Sequence, residues 1–252
     1  MKKFKVLVFD IELSPMLAYV WDRRDVNISL NHIRDDWFVI AWAAKWLDEP
    51  ASSVIYRDQR NAKPIGNDKD ILVPLWKLLD EADIVITQNG KNFDSPKLNA
   101  RFIMHGMKPP SPYKHLDTYQ IVRRVAKFTS NKLEYLTDKL CTKYKKLSHK
   151  KFPGMSLWSE CLAGNKAAWD EMKRYNIHDV LSTEEFYNKI KPWTPSGMTK
   201  VYKVTNFHED CGVCGGRLKK SGTAYYSRGA IQRYACTSCG TWSQGEVIRG
   251  AA

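Results

Sequence analysis

A chain of 252 residues that is 43% hydrophobic and 27% charged can bury one sizeable core plus something smaller, which excludes a disordered or collagen-like protein. Its 40 Lys and Arg against 27 Asp and Glu leave a net charge of +13, concentrated in residues 114–151 (+8) and 195–252 (+5), and an excess of that size points to a polyanion such as nucleic acid. No apolar stretch approaches the roughly 18 to 20 residues of a membrane span, and the Met1-Lys2-Lys3 start leads into a segment carrying Asp10 and Glu12. Neither a membrane protein nor a signal peptide is therefore expected, and the chain reads as cytoplasmic.

The β-branched, apolar run at residues 4–10 predicts a buried strand, with 37–46 and 53–57 as the next two. Ile71, Leu72, Leu75, Leu78 and Leu79 recur at helical spacing, and 83–87 is a fourth strand ending in the Asn89-Gly90 turn. Ser95-Pro96 opens a helix with Leu98, Phe102 and Ile103 on its apolar side, which Gly106 stops. After a proline-rich turn come a short segment at 115–117, helical patterns at 118–126 and 132–140, and a strongly basic loop. Asn165 can cap a helical region reaching about residue 190, with a break allowed near Arg174. Strands followed by mixed helices and strands predict an α/β sheet with helices packed on it. Pro192, Pro195, Ser196 and Gly197 mark the composition break, giving a main domain at 1–194 and a linker with a small module at 195–252. So short a module needs a staple.

Asp10 and Glu12 lie two apart at the end of the first expected strand, so both carboxylates fall on one face. Two anions there repel, and they are tolerated if exposed or if they hold a hard divalent cation. Taken alone, the pair also fits a solvated strand end. Asp94 stands just ahead of a helix start, where a helix N-cap is the alternative reading. Tyr175 and Asp179 are four apart, about one turn along one helix face, which an ordinary amphipathic helix also explains.

In order along the chain, Val8-Phe9-Asp10-Ile11-Glu12, Asn89-Gly90-Lys91-Asn92-Phe93-Asp94 and Tyr175-Asn176-Ile177-His178-Asp179 resemble the three exonuclease motifs of the DEDD superfamily. The resemblance covers roughly residues 4–190 and implies a ribonuclease-H-like mixed sheet flanked by helices, as in polymerase proofreading domains. Tyrosine four residues before the last aspartate resembles the DEDDy branch; the DEDDh branch would place histidine five before it, where this chain has Arg174. Asp-Ile-Glu-Leu-Ser-Pro followed by Ala18-Tyr19-Val20-Trp21 is similar to small phage and bacterial members.

The resemblance implies a 3′ to 5′ exonuclease that hydrolyses DNA, as single strands or 3′ ends, to nucleoside 5′-monophosphates with two Mg²⁺ or Mn²⁺ ions. It implies that Asp10 bridges both ions, that Glu12 and Asp179 complete the site of the ion activating water, and that Asp94 supports the other. Tyr175 would orient the attacking water; a phenol near pKa 10 is mostly protonated at neutral pH and makes a poor free base. Asp117 resembles a recurrent acidic position of the superfamily and is expected to be structural. The same chemistry on RNA is the nearest alternative, because no residue is an evident reader of a 2′-hydroxyl. A non-catalytic nucleic-acid or replisome adaptor is a different class, which the loss of an acid would have favoured and none is lost. Proofreading would require a polymerase or replication partner in trans.

Cys211-x₂-Cys214 and Cys236-x₂-Cys239 have the spacing of a two-knuckle tetrahedral Zn²⁺ site, and a reducing compartment follows most simply. Gly215 and Gly240 after each pair suit tight knuckle turns, and 223–227 and 231–235 flank Arg228-Gly229 as a hairpin. Residues 231–240 resemble the second half of transposase zinc ribbons, which favours DNA over RNA; a structural or protein-docking ribbon is the alternative. Arg228 and Arg233, among Tyr225, Tyr226, Tyr234 and Trp242, suit phosphate contact and base stacking. Lys143, Lys145, Lys146, Lys150 and Lys151 lie in the +8 segment and are expected to line the nucleic-acid path. Cys141 and Cys161 read as ordinary, partly buried residues.

Overall fold

The computed structural model describes residues 5–24, 27–147, 150–195, 210–226 and 229–248. In chain order the first elements are β1 (Val6–Leu13), a small hairpin of β2 (Leu17–Ala18) and β3 (Ile33–Asp35), then β4 (Val39–Trp46), β5 (Ile55–Asp58), α1 (Lys69–Glu81) and β6 (Ile84–Thr87). There follow α2 (Asp94–Met104), β7 (Lys114–Asp117), α3 (Thr118–Val125), α4 (Leu133–Leu140), α5 (Ser156–Leu162) and α6 (Lys166–Ile190). The C-terminal part holds β8 (Leu218–Tyr226), β9 (Gly229–Cys236) and β10 (Trp242–Ile248).

The main sheet runs β5-β4-β1-β6-β7, with β1 antiparallel to β4 and parallel to β6. Both faces are covered by helices, which is why β4 and β6 read as nearly unbroken apolar runs. On β1 the period of two sorts the side chains. Leu7, Phe9 and Ile11 pack against α1 and α2 through Leu72, Leu75, Leu98 and Phe102. Val8 points the other way, towards Val180, Phe186 and Tyr187 of α6, and Asp10 and Glu12 share its parity. The catalytic candidates are thus placed on the α6 side by the same alternation that fills the core. Burying each large apolar side chain is worth about 1.5–3 kcal/mol, so a one-residue register slip is strongly disfavoured.

Three sequence expectations need correction. β1 extends to Leu13, so Asp10 and Glu12 lie inside the strand, paired with Ala43 and Ala41 of β4, and the register shifts only between Glu12 and Leu13. α6 is one continuous helix of 25 residues with no break at Arg174. It contains neither Gly nor Pro, buried residues extend on both sides of Arg174, and Asn165 caps it by accepting from the Ala167 and Ala168 N–H groups at 3.0 and 3.4 Å. Cys141 and Cys161 are fully buried rather than partly so. The β2–β3 hairpin, α5 and β10 have no counterpart in the sequence reading.

The second sheet runs β10-β9-β8, antiparallel throughout, and its hairpin strands are longer than the 223–227 and 231–235 segments. It touches the end of α6: the Thr241 hydroxyl donates to the Lys191 carbonyl at 3.3 Å, and Gly240, at φ 71°, approaches Pro192. A Cβ on Gly240 would lie 3.3 Å from the Pro192 Cβ and would force a left-handed backbone on a residue that resists it. Among the described residues no helix is long and apolar enough to cross a membrane.

Candidate active site

Asp10 and Glu12 from β1 meet Asp179 from α6, with one carboxylate oxygen of each within 4.8 Å of the others. Asp179 is 3% exposed. Asp10 and Glu12 are themselves half-buried and face this helix, so they do not form a fully solvated strand end. Tyr175, one turn before Asp179, is buried, with 7% of its surface exposed.

Asp94 is the first residue of α2 and does not serve as its N-cap. Its Oδ1 accepts from the Ile11 N–H at 3.2 Å, which ties it to β1 between the two acids. The turn before it is organised by Asp117, whose carboxylate accepts from the N–H groups of Asn89 (2.9 Å), Lys91 (3.0 Å) and Tyr119 (3.0 Å). Asp117 thus caps α3 and fixes the loop carrying Asp94. Gly90 is required there: a Cβ would stand 2.5 Å from Thr87 Oγ1 and 2.9 Å from Asp94 Oδ2.

The electrostatics of the cluster follow from burial and like charge. Asp10 is raised well above the usual carboxylate range, first by burial and then by Asp94, Asp179 and Glu12. Glu12 is pushed up to about 8 by burial and by Asp179, against the opposing pull of Lys146 and of a hydrogen bond from Trp158. Burial raises Asp94 to about 7. Buried carboxylates that face one another in this way are hard oxygen ligands whose repulsion a divalent cation would relieve, so the residues present fit such an ion. Tyr175 is raised above the ordinary phenol value by burial and then by Asp179, so its hydroxyl stays protonated at neutral pH.

Of the five lysines expected to act together, only Lys146 enters the site. Its ammonium donates to Asp179 Oδ2 and lies 4.6 Å from the Tyr175 ring centre. Burial works against that charge, but Asp179 and Tyr175 outweigh it and raise the Lys146 pKa. Lys145 instead pairs with Asp138 at 3.1 Å, Lys143 lies over the Tyr144 ring at 5.1 Å, and Lys150 and Lys151 are exposed. Arg228 lies outside the described residues; Arg233 is half-buried on β9.

Two site residues escaped the sequence reading. Asn176, fully buried, donates from Nδ2 to Asp10 Oδ2 at 2.7 Å. Trp158, on α5, donates from Nε1 to Glu12 Oε2 at 3.2 Å and stands edge-on to Tyr175, ring centres 6.4 Å apart. Asn176 follows the motif tyrosine directly and could have been noticed there; nothing local marks Trp158.

A second cluster gathers the sulfurs of Cys211, Cys214, Cys236 and Cys239 within 4.8 Å of one another. The separations of 3.7 Å (Cys211 to Cys239) and 3.5 Å (Cys214 to Cys236) are far beyond a disulfide bond and near the edge of about 3.8 Å that four 2.3 Å Zn–S bonds imply. Backbone N–H groups of Val213, Gly216 and Ser238 point at the sulfurs, donating to Cys211, Cys214 and Cys236 at 3.3–3.4 Å. Gly215 and Gly240 both adopt φ 71° and close equivalent turns on the Cys211 and Cys236 carbonyls. Four thiols in two matched knuckles fit tetrahedral zinc.

The mixed sheet, the helices on both faces and the acids meeting on β1 and α6 define a ribonuclease-H-like α/β protein. The RNase_H superfamily profile matches residues 38–191, and the chain belongs to that superfamily. β1, with Asp10 and Glu12, precedes the matched segment. The chain is similar to a DNA polymerase of Methanocaldococcus jannaschii, 27% identical over an alignment of 155 residues that covers 52% of this chain and 9% of the polymerase. It is also similar in fold to the family B DNA polymerase from the hyperthermophilic archaeon Pyrobaculum calidifontis, with a TM-score of 0.54 and 17% identity over 76% of this chain and 25% of that one. The chain thus spans only a small part of either polymerase.

Proposed function

We propose that the chain is a metal-dependent 3′ to 5′ exonuclease of the DEDDy type, of phage or bacterial character, acting on DNA in the cytoplasm. The observation that carries this reading is the convergence of Asp10, Glu12 and Asp179 on one point with Tyr175 and Lys146 beside them. Asp10, Glu12 and Asp179, with Asp94 close by, would hold two Mg²⁺ or Mn²⁺ ions. When bound, such ions supply an activated water on one side of the scissile phosphate and charge stabilisation for the leaving oxygen on the other.

The chain's own residues do the rest. Tyr175, held protonated, orients the attacking water through its hydroxyl. The water oxygen bonds to phosphorus, the P–O3′ bond breaks, and a nucleoside 5′-monophosphate leaves a shortened strand with a new 3′-hydroxyl. Lys146 supplies positive charge beside Asp179, where negative charge accumulates in the transition state. Asn176 and Asp117 keep Asp10 and the Asp94 loop in place.

In this reading residues 1–194 form the nuclease domain and residues 195–252 the linker and a zinc ribbon that holds one structural Zn²⁺. Lys143, Lys145, Lys150, Lys151, Arg228 and Arg233 supply phosphate contacts, and a polymerase or other replication protein is the fitting partner. The resemblance to polymerases favours DNA over RNA. Digestion of 3′- and 5′-labelled single-stranded DNA, duplex DNA and RNA, each with Mg²⁺, Mn²⁺ or EDTA, tests it. The expected result is metal-dependent shortening of DNA from the 3′ end; shortening from the 5′ end, cleavage in EDTA or action on RNA alone would overturn it.

A further inference from the structure

The acids that would hold the catalytic ions do not support themselves. Each of the two on β1 is held by a neutral N–H donor from the α5–α6 pair: Asp10 by the Asn176 amide at 2.7 Å, Glu12 by the Trp158 indole at 3.2 Å. The second arrangement is the less expected. Indole is a donor only and does not titrate, so it fixes one oxygen of Glu12 without cancelling the negative charge a cation needs. It also leaves the carboxylate's remaining lone pairs open for a ligand bond. Lys146, by contrast, is a charged donor that offsets the charge of Asp179 directly.

The surroundings make Trp158 a rigid support. Its neighbour Leu157 and Cys161 on the same short helix are fully buried, packed against Ile40, Ala41, Trp169 and Met172, so α5 is clamped between β4 and α6. The indole and Tyr175 rings meet in a T-shaped arrangement at an interplanar angle of 78°. One side chain therefore touches both a cation-binding acid and the residue that orients water.

We propose that Trp158 is a positioning residue for this site, holding the Glu12 carboxylate for a divalent cation and the Tyr175 ring beside it. Groups that orient metal-binding residues typically change metal affinity or activity by about 10- to 100-fold when removed. Trp158→Phe keeps a ring against Tyr175 and deletes the donor to Glu12. Its defect should therefore appear in cation affinity rather than in substrate binding.

The inference rests on the nuclease reading for its kinetic arm, whereas its binding arm needs no activity. Mn²⁺ binding to the full chain without nucleic acid is measured by calorimetry and electron paramagnetic resonance, for the wild type and for Trp158→Phe. Hydrolysis of single-stranded DNA is followed in parallel as a function of Mg²⁺. The expected result is about a 10-fold weaker Mn²⁺ affinity and a similar rise in the Mg²⁺ concentration for half-maximal rate, with KM for the strand within about 2-fold. Unchanged Mn²⁺ affinity in a folded Trp158→Phe protein, or a defect confined to KM or to thermal stability, would overturn it. Should the variant not fold, the wild type decides: an indole ¹⁵N–¹H spectrum in which no N–H signal moves on Mg²⁺ addition contradicts the proposal, and one that moves with the calorimetric affinity supports it. A wild type that binds Mn²⁺ and hydrolyses no strand overturns the nuclease reading instead, and the Mn²⁺ comparison still decides the role of Trp158.

Discussion

At the scale of single residues, burial and charge pull the site in opposite directions. Glu12, pushed up to about 8, and Asp94, to about 7, both bind a proton more tightly in the folded chain than in the unfolded one, where carboxylates titrate near 4. A raised acid stabilises the fold below its folded pKa and loses that contribution as pH climbs from about 4 towards 8. The metal-free protein should therefore melt at a lower temperature at pH 8 than at pH 5.5. Mg²⁺ should raise the melting temperature more at pH 8, where fewer of the carboxylates carry protons than at pH 5.5. Differential scanning calorimetry with and without Mg²⁺ checks both; equal Mg²⁺ shifts at the two pH values would contradict this electrostatic picture. The acids and tyrosine stood out in the sequence only together, through the resemblance of three ordered motifs, because each local pair alone also fits a strand end, a helix cap or an amphipathic helix. Trp158 did not, because its contact with Glu12 joins positions 146 residues apart.

Elements show where local pattern stops being sufficient. The helical and strand periodicities located most of the sheet and the helices on it. Leu17–Ala18 and Ile33–Asp35 are too short to carry a period, and the apolar residues around them, among them Tyr19 and the fully exposed Trp21, are not core at all. The loop before α5 illustrates the other failure, since five lysines that look equivalent in sequence do different things once folded. Lys146→Ala should lower turnover with little change in KM. The double substitution of exposed Lys150 and Lys151 should weaken binding and flatten the salt dependence by up to about 0.9 log unit per lost phosphate contact, with turnover at saturation retained. Steady-state kinetics at several salt concentrations separate the two, and identical profiles would show that the loop acts as one charged surface. The turn between β6 and α2 gives a sharper case. Gly90→Ala pushes a methyl group into Thr87 and Asp94, so it should destabilise the chain by about 1–3 kcal/mol and cut turnover at least 10-fold. A variant with wild-type rate would show that Asp94 tolerates displacement.

Across the whole molecule the two clusters are linked through one helix. α6 carries Tyr175 and Asp179 along its length, and the turn that follows it, at Lys191 and Pro192, meets the second cysteine knuckle. The cysteine spacing foretold the knuckles, but docking depends on surfaces far apart in sequence, and no pattern in either segment announced it. Zinc at the four thiols would supply on the order of 10 kcal/mol to so small a sheet, so Cys236→Ser should release the metal and unfold residues 210–248. The main domain should lose only its contact at α6, worth about 1 kcal/mol, or about 2–4 °C in its melting temperature. Elemental analysis and calorimetry of the variant test this, and a full complement of zinc in Cys236→Ser would contradict the ligand assignment.

In the proposed nuclease the acids on β1 and α6 act as one hydrolytic site. The most direct measurement is the time course of a 5′-labelled single strand with Mg²⁺, comparing the wild type with Asp10→Ala and Asp179→Ala proteins of unchanged circular dichroism and nucleic-acid affinity. The expected result is a ladder shortening from the 3′ end with release of nucleoside 5′-monophosphates in the wild type, and rates at least about 1,000-fold lower in both variants. Wild-type rates in either variant, free of contaminating nuclease, would contradict it.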